Sequence, residues 1–320
     1  INSATNIAGA NTTLGITTFE LPVLATANST ISAVIGTATT GALTLSGSGN
    51  VTLSGTNLYT GTTYINGATL TAGANNVISS GGVTVVGGTY NLNGNSDTVG
   101  TLTLNAGTVA TGAGTLTGNG TYTTIANNNV ASIISGNLGL GANATFNIAD
   151  GSMDNDVVIS AVVSGAFTVA KSTGAGVLEL SGNNTYTGTT TISAGTIRLG
   201  ATGNGTNTPL GTTAGGTTVS GANSALDLNG YTLGTSEGLT LSGALGTGAL
   251  QNTSSTDVNY TGLITLGAAS TIIANYGDIN ITNTGNITGN TFGLTIGGAG
   301  NGTLASNLNT TTGTLTKNGV

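Results

Sequence analysis

Apolar and small polar residues alternate along most of the chain in short runs. Leucine or valine occupies every second position, threonine or serine fills the positions between, and glycine closes the run. This period of two is typical of short strands with one buried face. Helical spacing of apolar residues is absent, and glycine, which costs about 1 kcal/mol relative to alanine in a helix interior, recurs too often for helices. The pattern predicts an all-β protein; its clearest runs are residues 42–55, 101–109, 176–182 and 238–243.

The chain also repeats itself. Residues 54–74 and 181–201 are identical at 12 of 21 aligned positions. Each copy is followed by a second related phrase, at residues 90–109 and 226–245. Short strands in such nested repeats stack into β-solenoids, because one repeat cannot bury its apolar face alone.

The repeats also predict how the chain is organised. The run "AKSTGAGV" (170–177), which precedes the later copy, is echoed by "TKNGV" at 316–320. We therefore expect a single solenoid segment of a longer protein. Its repeat units lie near residues 43–109 and 171–245, and a third begins at residues 315–320.

The expected architecture is a parallel β-helix shaped as an elongated rod. Each strand would bond to the turns above and below it, so inward side chains form columns while threonine, asparagine and serine face outward. About 14 turns spaced by about 4.8 Å would give a rod of roughly 70 Å. Glycine and asparagine suit the tight corners, where φ is positive.

The later copy carries a specific resemblance. The run "LELSGNNTYTGTTTISAGTIRLG" (178–200) resembles the passenger-associated β-strand repeat of bacterial autotransporters. Residues 51–74 are similar to it but match less tightly, with Leu58 in place of the usual threonine. The resemblance implies a right-handed parallel β-helix that is exported through an outer membrane and displayed outside the cell.

The repeat brings no catalytic residues with it. The positions it implies are structural: a tyrosine and an isoleucine that are buried or stacked, and a glycine at a corner. In this chain they are Tyr59, Gly61 and Ile65 in the first copy, and Tyr186, Gly188 and Ile192 in the second.

The amino-acid composition argues against several classes of function. Charged residues make up 4% of the chain, and the net charge is −7 with only three basic residues, Lys171, Arg198 and Lys317. Nucleic-acid binding requires a basic footprint, so we expect none. No run of 18 apolar residues exists, so we expect no membrane insertion by this segment. Cysteine and histidine are absent, which removes thiolate and imidazole chemistry, and we expect no cofactor.

Carboxylates are the remaining candidates for chemistry. Glu179 and Asp227 each lie between leucines, so alternation predicts that both are isolated on the solvent face. Asp150, Asp154 and Asp156 form the densest acidic cluster and are a weak calcium candidate. The cluster lacks the terminal glutamate of an EF-hand loop, so an exposed turn is the simpler interpretation.

These observations favour a structural or adhesive autotransporter passenger: a rigid stalk on the bacterial cell surface, extracellular and not an enzyme. The alternative is a self-assembling surface-layer or filament subunit, because open strand edges with little charge invite pairing. A polysaccharide-cleaving β-helix enzyme is less favoured, since it needs paired acids. Expected partners are other copies of the chain, adjoining solenoid segments, and a host or neighbouring-cell surface.

Overall fold

The computed structural model describes residues 20–36, 41–78, 80–125, 129–243 and 248–319, and the backbone of residues 6–7 and 13–14. Across these residues the secondary structure consists of strands and turns, with no helix, which confirms the all-β prediction. Accordingly, the described residues hold no helix that could cross a membrane.

The strands are short, and most have three to five residues. They are β1 (Asn6–Ile7), β2 (Thr13–Leu14), β3 (Glu20–Ala25), β4 (Ser29–Ile31), β5 (Val34–Ile35), β6 (Ala42–Gly47), β7 (Asn50–Leu53), β8 (Thr63–Asn66), β9 (Thr69–Ala72), β10 (Val83–Val86), β11 (Thr89–Asn91), β12 (Asp97–Val99), β13 (Leu102–Asn105), β14 (Thr108–Gly118), β15 (Thr121–Thr124), β16 (Ser132–Leu140), β17 (Ala144–Ile148) and β18 (Val157–Ile159). They continue with β19 (Val162–Ser164), β20 (Val169–Thr173), β21 (Val177–Leu180), β22 (Thr190–Ile192), β23 (Gly195–Leu199), β24 (Thr217–Val219), β25 (Ser224–Asp227), β26 (Leu239–Leu241), β27 (Leu250–Asn252), β28 (Val258–Tyr260), β29 (Ile264–Leu266), β30 (Ser270–Ala274), β31 (Ile279–Ile281), β32 (Asn286–Thr288), β33 (Leu294–Gly298), β34 (Asn307–Asn309) and β35 (Leu315–Lys317).

The chain divides into two compact units. The first comprises Ile1–Ala144 and Gly151–Val162, and the second comprises Thr145–Asp150 and Val163–Val320. Both are parallel β-solenoids, and together they hold about 13 turns, which confirms the predicted fold class. The predicted repeat units include Ser79, residues 244–245 and Val320, which lie outside the described residues.

In the first unit, strands pair in parallel with the equivalent strands of neighbouring turns. In the series β6–β8–β10–β13, the inward positions form an apolar column while the adjacent outward positions are mainly threonine. The inward column is Leu45, Ile65, Val85 and Leu104, and the outward column is Thr44, Tyr64, Thr84 and Thr103.

The second unit is built in the same way. The series β22–β24–β26–β29 and β23–β25–β27–β30 each place one aliphatic side chain above another, turn after turn. Stacked branched side chains fill a narrow interior, because parallel pairing keeps equivalent positions on the same face. The two columns are Ile192, Val219, Leu241 and Leu266, and Ile197, Leu226, Leu250 and Ile272.

Candidate functional site

The two copies of the repeated phrase are compared below as repeat A (residues 42–72, β6–β9) and repeat B (residues 169–199, β20–β23). Each copy contains an asparagine in the bend between its second and third strands: Asn57 in repeat A and Asn184 in repeat B. Both asparagines are buried, although asparagine is mostly exposed in proteins.

Each asparagine bridges the turns before and after it. The Ile35 N–H donates to Asn57 Oδ1 at 2.8 Å, and Asn57 Nδ2 donates to the Val77 carbonyl at 2.6 Å. In repeat B, the Val163 N–H donates to Asn184 Oδ1 at 2.7 Å, and Asn184 Nδ2 donates to the Pro209 carbonyl at 2.7 Å. The side chain therefore supplies the hydrogen bonds that neighbouring backbone groups lack at the bend.

The repeat tyrosines lie two positions after these asparagines. Tyr59 and Tyr186 are fully buried, and the hydroxyl of each is 2.7 Å from the hydroxyl of a threonine four residues later, Thr63 and Thr190 respectively. Burial raises the pKa of both phenols well above the ordinary value, so they stay neutral. A buried tyrosine is stable here because its hydroxyl has a partner.

The repeat isoleucines and glycines complete the packing. Ile65 and Ile192 are fully buried in the inward columns. A side chain on Gly188 would collide with the Phe167 backbone of the preceding turn, and one on Gly81 would collide with the Gly61 carbonyl. These glycines allow the bends of successive turns to approach closely.

Lys171 lies in the core of repeat B rather than on its surface. The residue is fully buried in β20. Its Nζ donates to three carbonyl oxygens, at 3.0 Å for Thr173, 2.6 Å for Gly174 and 3.1 Å for Ala194. The ammonium thus binds the backbone of the bend before β21 and links it to the bend before β23.

Arg198 and Asp227 form an ion pair between adjacent turns. Arg198 Nε lies 2.9 Å from Asp227 Oδ2, and Glu179 occupies the register position on the other side of Arg198. Asp227 also accepts hydrogen bonds from the Thr253 hydroxyl at 2.6 Å, the Thr253 N–H at 3.1 Å and the Asn229 N–H at 3.0 Å. The predicted solvent exposure of Asp227 is therefore wrong: Asp227 is fully buried because Arg198 and Thr253 cover it, while Glu179 is half-buried.

The residues of the acidic cluster differ in their surroundings. Asp150 and Asp154 are exposed, whereas Asp156 is buried, and its Oδ1 accepts a hydrogen bond from the Gly151 N–H at 2.7 Å. Within the described ranges, no three acidic side chains come together in a group that could hold a metal ion. Calcium binding by Asp150, Asp154 and Asp156 stays a prediction.

Two further buried acids were missed from the sequence. Asp97 accepts hydrogen bonds from the Tyr90 hydroxyl at 2.7 Å and the Ile78 N–H at 3.0 Å, and burial raises its pKa. Glu237 is 1% exposed, and burial raises its pKa to about 7. A signal was available: Asp97 has the alternation parity of Val99, and Glu237 has that of Leu239, which are inward positions.

Comparison with known proteins identifies the repeats. Residues 43–72 and 173–199 both match the family model described as passenger-associated-transport-repeat. No curated protein and no solved structure matches the chain. The two matches fall on the segments that place Asn57 and Asn184 between neighbouring turns, and they confirm the resemblance seen in the sequence. The chain carries two passenger-associated transport repeats within a parallel β-solenoid, which fits an autotransporter passenger.

Proposed function

We propose that this chain is part of an extracellular protein of the bacterial cell surface, a structural or adhesive autotransporter passenger that serves as a rigid stalk. The observation that carries the proposal is the bridging asparagine in both repeats. Asn57 and Asn184 each join a turn to the turns before and after it through buried hydrogen bonds. Such links resist bending between turns, and the repeat family is one of surface or secreted proteins.

We further propose that the chain is not an enzyme. Retaining and inverting glycosidases need two carboxyl groups about 5–9.5 Å apart and free to act on a sugar. Asp227 instead accepts four hydrogen bonds, one of them from Arg198. The Asp97 carboxyl accepts bonds from Tyr90 and from backbone N–H groups in the interior. These acids serve the fold, and the outward columns of threonine are suited to contact with a surface rather than to catalysis.

The partners we propose are adjoining solenoid segments and a host or neighbouring-cell surface. The outward positions Tyr64, Thr84 and Thr103 carry hydroxyl groups and no charge. A surface of this kind binds through many weak polar contacts, and it lacks the basic groups that nucleic acid requires.

The location is tested on intact cells of the source bacterium. Antibodies raised against the chain should label the cell surface, and protease added outside should release the antigen while a cytoplasmic marker stays intact. Labelling only after the cells are broken would overturn the proposal.

The stalk is tested on the purified chain. Small-angle scattering should give a maximum dimension of at least roughly 60 Å, as expected for about 13 stacked turns about 4.8 Å apart. A particle with a clearly smaller maximum dimension would contradict the stalk. Sedimentation at increasing protein concentration should show monomers; reversible growth into long multimers would favour the filament subunit instead.

A further inference from the structure

The Glu237 carboxyl is buried with one of its two oxygens left without a hydrogen bond among the described residues. The residue is 1% exposed and lies just before β26 in the second unit. Its Oε1 accepts a hydrogen bond from the Thr217 hydroxyl at 3.1 Å. Its Oε2 has no hydrogen-bond partner among the described residues. The Thr235 hydroxyl of the same bend is also buried without a hydrogen-bond partner among the described residues, so two polar groups of this bend are unsatisfied.

Among the described residues, the groups that face Glu237 provide no positive charge. The titratable groups near it are two phenols, Tyr186 from the turns before it and Tyr260 from the turn after it. The Tyr260 hydroxyl donates to the main-chain carbonyl of Glu237 at 2.7 Å, so it fixes the backbone and leaves the carboxyl unaided. Burial raises the pKa of both phenols, which therefore stay neutral.

The carboxyl is accordingly more stable in the interior when it carries a proton. Burial raises the pKa of Glu237 from its ordinary 4.5 to about 7, and the Thr217 hydrogen bond offsets only part of this effect. A carboxylate with one unpartnered oxygen is costly in an apolar interior, because no solvent replaces the missing hydrogen bonds.

We propose that Glu237 is a proton-dependent latch on the turns that carry Tyr186, Thr217 and Tyr260. The neutral carboxyl keeps these turns packed, whereas the carboxylate draws water toward its unpartnered oxygen and loosens the bend that contains Thr235. The inference goes beyond the stalk, since it makes the rigidity of one part of the stack depend on pH.

The direction of the pH dependence follows from the protonation of Glu237 in the folded and unfolded chains. Because the folded chain holds the Glu237 proton up to about pH 7 and the unfolded chain releases it near pH 4.5, stability falls as pH rises through this window. Below the window both states are protonated, and above it both are ionised, so Glu237 adds no further slope there. Across the window the ratio of open to closed forms should rise roughly 300-fold.

The experiment is hydrogen exchange on the whole chain from pH 4.5 to pH 8, with protection corrected for the intrinsic exchange rate at each pH. In the wild-type protein, protection of residues 217–219 and 258–260 should fall as pH rises. Glu237→Gln should remove the pH dependence, since it keeps the shape and cannot ionise. Asp97→Asn is the control: it removes a buried acid in the first unit whose oxygens are bonded, and it should leave the fall at 217–219 intact.

Thr217→Val keeps the proposal testable if Glu237→Gln does not fold. It removes the hydroxyl that lowers the pKa of Glu237, so the midpoint of the protection loss should move to higher pH. Wild-type protection that is constant with pH would overturn the latch. So would a decline that persists in Glu237→Gln, or a midpoint that Thr217→Val leaves unmoved.

Discussion

Repeats A and B share the hydrogen bonds of their asparagine and tyrosine, but they differ in the connection between their first and second strands. In repeat A, Leu45 of β6 pairs in register with Ile65, and in repeat B, Lys171 of β20 pairs with Ile192. Lys171 therefore occupies the place of a core leucine. The connection that follows, from Lys171 to Val177 at the start of β21, is one residue longer than that from Leu45 to Asn50 at the start of β7.

The longer bend explains the lysine. The bend with the extra residue brings the carbonyls of Thr173 and Gly174 within reach of the core position, and the Lys171 ammonium binds both. Repeat A has a shorter bend, and the apolar Leu45 suffices there. The comparison teaches that the bridging asparagine and tyrosine define the repeat, while the bend before them can change if a core position changes with it.

The largest expected effect comes from the shared asparagine. Asn184→Ala removes the partners of the Val163 N–H and the Pro209 carbonyl, and leaving a buried polar group unsatisfied costs about 1–3 kcal/mol each. We expect a loss of about 4 kcal/mol in the free energy of unfolding, measured by denaturant titration followed by circular dichroism. Asn57→Ala should cost the same within about 1 kcal/mol. A loss of unfolding free energy in only one of the two variants would show that the two asparagines do not have equivalent roles.

A smaller effect is expected where the repeats differ. Lys171→Met fills the core in the way that Leu45 does, but it leaves the carbonyls of Thr173, Gly174 and Ala194 without their donor. Thr173 and Gly174 are exposed and can turn toward water, so we expect a loss of about 2 kcal/mol. The control Leu45→Met conserves volume and should cost less than about 1.5 kcal/mol. Equal stability of Lys171→Met and wild type would show that the longer bend does not need the ammonium.

Removal of the tyrosine hydroxyls should give the smallest losses in the free energy of unfolding, with a small difference between the two repeats. Tyr59→Phe removes the hydroxyl that faces Thr63 and should cost about 1 kcal/mol. Tyr186→Phe should cost less, because the Thr190 hydroxyl also donates to the Leu210 carbonyl at 3.3 Å. Denaturant midpoints of the two variants, measured side by side, test this order. A greater loss in Tyr186→Phe would contradict it.

Calcium should not change stability measurably. Asp150 and Asp154 are exposed, and the Asp156 carboxyl accepts a hydrogen bond from the Gly151 N–H, so neither arrangement is a built cation site. The melting temperature should be the same with calcium and with a chelator, since a ligand that binds only the folded state must raise it. A calcium-dependent rise that Asp154→Asn abolishes would establish a site.

Much of the fold follows from local pattern, whereas the bridges depend on register. Alternation places Leu45 and Val85 inward, and the duplicated phrase predicts stacking, because both features depend only on neighbours along the chain. The partners of Asn184 are 21 and 25 residues away, so they become visible only when the turns are aligned.

The location of the buried charged residues was also not predictable from the sequence pattern. Alternation gives Lys171 and Glu237 inward parity, yet their charge argues for the surface, and the sequence alone does not decide between the two. Asp227 has outward parity and is nonetheless buried, because Arg198 and Thr253 from the neighbouring turns fold over it. Such residues are resolved by three-dimensional contacts rather than by pattern.

The burial of Lys171 also determines how the protein behaves toward trypsin, which cleaves after lysine and arginine. The chain has three such residues: Lys171 is fully buried, Arg198 is paired with Asp227, and Lys317 is exposed. Trypsin acting on the folded protein therefore has Lys317 as its accessible target. Complete digestion after unfolding releases residues 172–198 as a peptide of ordinary length, and the fragment on each side of it has more than 100 residues. Among the tryptic peptides of these 320 residues, the one of a length suited to mass spectrometry therefore lies entirely within repeat B.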